Sequence, residues 1–310
     1  MSGGTERPAG AGQNQGWRSA MRVGVTFPQT EFGNDPSALR DYAQTVEGLG
    51  YTHFLAYDHV LGADPTTRPG WTGYDLDDPF HEVFVLLAYV GAVTQRLELV
   101  TGVLILPQRQ TALVAKQAAA IDVLSGGRLR LGVGVGWNPV EYDGLGKDFA
   151  NRGARCEEQI ALLRALWTAP AITFEGKWET IKDAGINPLP IQRPIPIWIG
   201  GYAEATFTRV GRLGDGWFPW REPDDAMRRA IATIRQTAVA AGRDPDAIGL
   251  EPQLNVGRGT PVEWRRFVAG WRDLGATHLC LSTMGNGFTA PDQHLAALRR
   301  AATELGVAPA

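Results

Sequence analysis

The run 52–58 closes in Tyr57-Asp58-His59, and a histidine at a strand's end can exchange protons near neutrality because an unperturbed imidazole titrates near about pH 6.5. The plainer alternative is a surface or supporting histidine held by Asp58. His53, at the other end of the same run, reads as structural, and His81, opening a helix, as facing solvent. Thr101-Gly102-Val103 interrupts an aliphatic strand with glycine, which marks a bulge or the close approach of something flat. Gly132, Gly134 and Gly136 recur at every second residue and so share one face of a strand. They remove three side chains and make room for a planar ligand or a neighbouring helix, with Trp137 and Asn138 at the strand's mouth. Gly200-Gly201-Tyr202 runs straight into a helix, whose first amides and positive dipole end suit a phosphate. The next strand, also glycine-flanked, ends in Asp215-Gly216-Trp217-Phe218-Pro219.

Competing chemistries find little support. No HExxH, P-loop or GxSxG pattern occurs, and Trp137 stands where a dinucleotide fingerprint would need its next glycines. Asp58 and Glu141, the acids near strand ends, form no obvious pair for glycoside chemistry. The two cysteines, Cys156 and Cys280, lie far apart and outside any CxxC spacing, so neither a disulfide framework nor a metal site is expected. Both read as buried small residues, in keeping with a reducing cytoplasm. Lys and Arg total 30 against 33 Asp and Glu, a net charge of −3 with no basic-aromatic stripe, which argues against a nucleic-acid partner. No run approaches the ~18 apolar residues of a membrane helix.

Strand-like and helical patterns alternate strictly from Met21 onward. Strands are predicted over 22–28, 52–58, 97–105, 128–136, 195–200, 215–219, 248–256 and 278–284. Helices follow each: one opened by Asp35-Pro36 and stopped by Gly50, then 80–94, 111–124, 151–168, 203–213, 222–241, 261–273 and 291–305. An excursion with several prolines, 169–194, precedes the fifth strand. Alternation leaves an open doubly wound sheet or a closed barrel, and the count of eight pairs favours an α/β fold of (β/α)8 TIM-barrel type over 21–310. Residues 1–20, rich in Gly, Ser, Gln and Pro, read as a mobile tail with no secretory signal, and Met21 is a candidate native start. In a barrel, chemistry sits at the strands' C-terminal ends, where the residues above fall.

Those residues, in that order, resemble the luciferase-like monooxygenase superfamily, in particular its actinobacterial F420-dependent branch. The resemblance rests on VGVTFPQ, Asp58-His59, Asp78-Pro79-Phe80 and LVTGVLILPQRQTALVAKQAAAIDVLSGGRLRLGVGVGWNPVEYDGLG. It continues through Asn151-Arg152-Gly153-Ala154-Arg155 with Glu157-Glu158, PLPIQRPIPIWIGG and GRLGDGWFP, and covers essentially 21–285.

The resemblance implies a bacterial luciferase-like barrel that binds F420, a 5-deazaflavin, and transfers a hydride between it and a small organic substrate. It implies a non-proline cis peptide at Gly102–Val103, a bulge backing the cofactor ring with Thr101 beside it. It places His59 beside the reactive face as proton partner, with Asp58 orienting it. Gly136 and Trp137 would flank the ring or substrate, and Gly200, Gly201 and Tyr202 would bind phosphate. The alternative within the fold is a two-component monooxygenase using FMN and dioxygen with a partner flavin reductase; a third reading is a non-catalytic flavin-binding barrel. Relatives pair through barrel helices, so a homodimer is expected. One departure bears on substrate: Val60-Leu61-Gly62-Ala63 replaces the aromatic and proline-tryptophan arrangement of the sugar-phosphate dehydrogenases, and Trp137 replaces their acid. A sugar phosphate is therefore disfavoured, and the loop 60–79, with Arg68, Trp71 and Tyr74, is expected to lid the pocket.

Overall fold

Short aliphatic runs separated by amphipathic stretches lay down parallel strands joined by helices. The computed structural model describes residues 21–308, so the tail expected over 1–20 lies outside the described residues. β1 (Arg22–Thr26) passes through a one-turn helix, α1 (Gln29–Phe32), into α2 (Pro36–Gly48). The Asp35 carboxylate caps α2 by accepting the Ser37 amide, and Pro36 fills the first helical position, where no amide is needed. Leu39, Tyr42, Ala43 and Val46 form its buried face. β2 (His53–Ala56) is followed by a long connection to α3 (Val83–Val93).

β3 (Glu98–Thr101) and β4 (Leu104–Ile105) lead to α4 (Thr111–Ser125), which Gly126 ends in the left-handed region. β5 (Leu129–Gly134) is followed by α5 (Pro139–Gly144) and α6 (Arg152–Thr168). The excursion 169–194 contains an antiparallel hairpin, β6 (Ile172–Glu175) with β7 (Thr180–Ala184). Then come β8 (Ile197–Gly200), α7 (Glu204–Leu213), β9 (Gly216–Phe218) and α8 (Asp225–Ala240). The chain finishes with β10 (Gly249–Leu250), β11 (Gln253–Asn255), α9 (Pro261–Asp273), β12 (His278–Ser282) and α10 (Pro291–Leu305).

The main sheet runs β10-β9-β8-β5-β3-β2-β1-β12-β11, with β4 also on β5, and every pairing in it is parallel. Two of the expected strands are divided, one at the bulge expected at Gly102–Val103 and one at a break that was not expected. The run 97–105 divides into β3 and β4 at a cis peptide bond between Gly102 and Val103. The run 248–256 divides at Glu251-Pro252: the Glu251 amide still bonds Trp217 on one side, while the Pro252 carbonyl accepts from Cys280 on the other. The two ends of the sheet are thus consecutive halves of one segment. Among the described residues, no helix is long and apolar enough to cross a membrane.

Parallel strands covered by helices bury both faces, and the core is correspondingly aromatic and aliphatic. Trp167, Trp217 and Trp271 are fully enclosed, and each indole N–H reaches a backbone carbonyl (Ala115, Gly201 and Arg221). Cys156 and Cys280 are buried and unbridged as expected, and burial pushes the Cys156 thiol up to about 12.

Towards the strands' N-terminal ends the sheet interior holds charge instead. Arg130 Nη1 lies 2.5 Å from Glu251 Oε2, and His53 Nε2 lies 3.2 Å from Glu251 Oε1. Arg130 also reaches Glu98 at 3.0 Å and stacks over Trp198. Burial alone would raise the Glu251 carboxyl, but Arg130 and His53 outweigh it and hold the group far below the carboxylate range. His53 is therefore structural, as its position at the far end of β2 suggested.

Candidate functional site

At the strands' C-terminal ends a cavity of about 560 Å³ opens between the ends of β2, β3, β5, β8 and β9. It is within the roughly 300–1,000 Å³ typical of small-molecule sites. Asp58, His59, Gly102, Val103, Gly136, Trp137, Gly200, Gly201 and Tyr202 all line it. Thr101 does not: it is buried, and its hydroxyl donates to the Gly132 carbonyl at 2.6 Å, tying β3 to β5. The sequence reading did not single out Tyr57, Ile105, Val135 or Trp220, which also form the wall.

The glycines explain how the cavity is shaped. A Cβ on Gly134 would stand 2.5 Å from Val103 Cγ2, one on Gly136 2.7 Å from Ile105 Cγ2, and one on Gly200 2.9 Å from Val103 Cγ1. Each distance is too short for a real contact. The space these glycines leave is filled by the Val103–Ile105 bulge, rather than by a helix, and the bulge in turn forms the cavity's floor.

His59 packs its ring against Phe80 and Tyr74, with centroids at 4.7 and 4.8 Å. Its Nδ1 faces Glu141 Oε1 at 3.4 Å, a close polar contact without hydrogen-bond alignment. Glu141 belongs to α5, which Asn138 caps through the Val140 amide and Pro139 opens. Its carboxylate also accepts from the Val60 amide at 2.7 Å and the Leu61 amide at 3.4 Å. Burial pushes the Glu141 carboxyl up, but the contact with His59 and these amides outweighs it and holds the group below its usual range.

Asp58 is not the group that orients His59. Its Oδ1 accepts from Arg109 Nη2 at 2.7 Å and its Oδ2 from the Ile105 amide at 3.0 Å. Neighbouring residues of an extended chain point to opposite sides, so Asp58 turns under the bulge while His59 turns toward α5. Burial raises the Asp58 carboxyl, opposed by Arg109, which also pairs with Glu82 at 2.9 Å. Asp58 thus clamps the bulge, and Glu141, considered in the sequence only as half of a carboxylate pair, is the acid beside His59.

The other end of the cavity is suited to an anion. Gly201 adopts φ 128°, Ala203 caps α7 without any side-chain bond, and the Arg221 guanidinium lies 4.2 Å over the Tyr202 ring. Tyr202 Oη and Trp220 Nε1 are buried polar atoms with no protein partner. Burial pushes the Tyr202 phenol up to about 12, so it remains a neutral donor. The residues present therefore fit a flat ring carrying a phosphate: a bulge for the ring to lie on, wall donors left over, and backbone amides beside an arginine. A larger, more open cavity of about 950 Å³ between the loops after β9 and β11 shares Trp220 but contains neither His59 nor the glycine wall.

The chain is 38% identical over 225 residues, 71% of its length and 77% of the other's, to an uncharacterised protein of Mycobacterium tuberculosis. It is 31% identical over 257 residues to the F420-dependent hydroxymycolic acid dehydrogenase of Mycobacterium tuberculosis, covering 81% of this chain and 66% of that protein. To the FMNH2-dependent dimethylsulfone monooxygenase of Pseudomonas putida it is 32% identical over 207 residues, 66% of this chain and 54% of the other. Its fold is shared with an F420-dependent secondary alcohol dehydrogenase solved with an F420–acetone adduct, at TM-score 0.72 and 16% identity over 90% of this chain and 99% of that one. The family model for luciferase-like monooxygenase matches residues 12–304. The chain therefore belongs to the luciferase-like monooxygenase family of flavin- and F420-dependent oxidoreductases and monooxygenases, and it is an enzyme of that family.

Proposed function

We propose that the protein is an F420-dependent oxidoreductase that transfers a hydride between the deazaflavin and a small organic substrate. The observation that carries this reading is His59, backed by the ionised Glu141, at the edge of a cavity floored by the Val103 bulge. The reading takes residues 21–310 as one domain whose sheet closes into a (β/α)8 barrel; the handover from β10 to β11 across Glu251-Pro252 supports closure. Gly102, Val103, Gly136 and Trp137 would border the ring, and Gly200, Gly201 and Tyr202 with Arg221 would meet the phosphate. When bound, the deazaflavin supplies the hydride donor or acceptor.

The chain's own residues handle the proton. Glu141 against Nδ1 favours a proton on that nitrogen and leaves Nε2 to face the reacting oxygen or carbon. His59 then acts as base if an alcohol is oxidised and as acid if a carbonyl or alkene is reduced. Replacing Glu141 with glutamine is expected to lower kcat by roughly 10²-fold, the cost of a misplaced catalytic group. F420 affinity, measured by fluorescence titration, should be unchanged, because Glu141 does not line the cavity. An unaltered kcat would remove Glu141 from the mechanism.

Gly134→Val would drive a side chain into Val103. Overpacking of this kind costs about 1–3 kcal/mol, and if it pushes Val103 into the ring's place F420 binding weakens roughly tenfold or more. A wild-type dissociation constant in that variant would mean that Val103 does not bound the ring.

An FMN-dependent two-component monooxygenase using dioxygen and a flavin reductase is the second reading, favoured by the likeness to the dimethylsulfone enzyme. A non-catalytic flavin-binding barrel is the third; the open cavity beside His59 weighs against it. The buried thiols suit a reducing cytoplasm, and the resemblance suggests a homodimer, with no nucleic-acid or membrane partner. Titrating the purified protein with F420 and with FMN separates the first two readings: saturable quenching by F420 supports the proposal, and FMN binding with no F420 response replaces it with the monooxygenase.

A further inference from the structure

We infer that the substrate is an uncharged, largely apolar molecule, held beside His59 by an aromatic wall of Tyr74 and Trp137, which Trp71 backs. This rests on the oxidoreductase reading above and adds the chemical class of what reacts there.

The wall is built by the long connection between β2 and α3 folding back onto the end of β5. Trp71 and Trp137 lie with ring centroids 5.8 Å apart, and Trp137 is 6.0 Å from His59. The Trp71 indole N–H is fixed on the Tyr74 carbonyl at 3.0 Å. Gly73 lets the connection lie flat on the indole, since a Cβ there would stand 2.0 Å from the Trp137 ring. Tyr74 closes the side, 4.8 Å from both His59 and Phe80. Trp137 itself remains 49% exposed at the cavity's mouth, an aromatic face still open to a second flat or aliphatic body.

The charges decide between neutral and ionic substrates. No lysine or arginine is among the residues lining this cavity. Asp58 lines it, but both carboxylate oxygens are taken by Arg109 and the Ile105 amide. Glu141 stands behind His59, with its charge facing the imidazole and the Val60 and Leu61 amides. An anion at the His59 end therefore meets no lysine or arginine and faces a nearby negative charge, while a cation finds within this cavity only a carboxylate already paired with Arg109. The arginine near the site, Arg221, lies over Tyr202 at the opposite end. A neutral body leaves no charge unpaired on entry and gains the aromatic contacts.

The test uses ketones matched in shape and differing in charge: cyclohexanone with its 4-carboxylate and 4-ammonium derivatives, and acetophenone with the corresponding pair. Dissociation constants are read from cofactor and tryptophan fluorescence on F420-loaded protein, wild type and Trp137→Ala. The neutral member of at least one set should bind roughly tenfold or more tightly than both charged partners. Trp137→Ala should weaken that neutral ligand several-fold, by more than any change it makes in F420 affinity. The inference is overturned if a charged member binds as tightly as its neutral partner in both sets, if no neutral member binds, or if Trp137→Ala leaves neutral binding unchanged. Failure to load F420 speaks against the cofactor assignment instead; the same sets are then run on FMN-loaded protein, where the same ranking is expected.

Discussion

Replacing His59 with alanine is expected to lower turnover by roughly 10²–10⁴-fold while leaving F420 affinity largely intact, the usual worth of a positioned proton-transfer group. His59 lines the cavity, its Nδ1 is held against a buried carboxylate, and Phe80 and Tyr74 fix the plane of the ring. None of the bulge, the glycine wall or the Gly200–Tyr202 turn depends on the imidazole, so the ring's binding surface should survive its removal. The split is diagnostic: a fall in kcat with an unchanged dissociation constant places His59 in the chemical step. Loss of affinity with unchanged kcat would make it part of the binding wall, and no change in either would take it out of the mechanism.

The second large effect falls on stability. Glu251→Gln should destabilise the fold by about 3–5 kcal/mol, because it removes the fully buried one of the two carboxylates that pair with the buried Arg130 guanidinium and leaves only the part-exposed Glu98. Chemical denaturation reads this directly. Replacing Arg130 and Glu251 together with methionine should recover much of the loss, since a buried ion pair and a well-packed apolar pair differ little in net stability. A Glu251→Gln protein as stable as wild type would mean that Glu98 alone suffices for Arg130.

The same region gives a pH dependence of definite sign. Burial, reinforced by Arg130 and His53, pushes the His278 imidazole down to about 2, and burial pushes His294 down to about 4. Both stay neutral in the fold while their unfolded counterparts take up protons below about pH 6.5. The unfolded state then binds more protons, so stability falls as the pH drops from about 6.5 toward those lowered values. Glu251 adds a contribution fully present above the carboxylate's ordinary value of 4.5 and lost as acid protonates it. Denaturation midpoints should therefore decline between about pH 7 and pH 5, and a flat profile there would show that the two imidazoles are not held neutral.

Local signals in the sequence carried far in some places and stopped short in others. Asp35-Pro36 announces a helix start because capping is decided by adjacent residues, and the Asp35 carboxylate accepts the Ser37 amide as such a cap requires. The alternation of apolar runs was enough to indicate a parallel α/β sheet. The bulge at Gly102–Val103 was legible from its glycine and from the resemblance, whereas the break at Glu251-Pro252 was not, since 248–256 read as one strand whose register is set by neighbours distant in sequence. The hairpin inside 169–194 and the one-turn α1 are too short for periodicity to register.

Within the site, glycine spacing pointed to missing side chains but not to what filled the gap, because Val103 and Ile105 come from another strand. Asp58 was expected to orient His59 from the resemblance, but adjacent residues in an extended segment point to opposite sides. Glu141 was visible as an acid near a strand end, yet its partner lies on a different element. Trp137 and the aromatics of the β2–α3 connection were each legible singly; their meeting depends on the connection's return path.

A crystal structure of the protein with F420 bound tests the central claim most directly. The account predicts the deazaflavin ring lying on the Gly102–Val103 bulge, its phosphate at Gly200–Tyr202, and His59 within reach of a substrate atom, about 3–3.5 Å, above the ring. A ring seated in the larger cavity beyond Trp220, or one whose reactive face is turned away from His59, would contradict it.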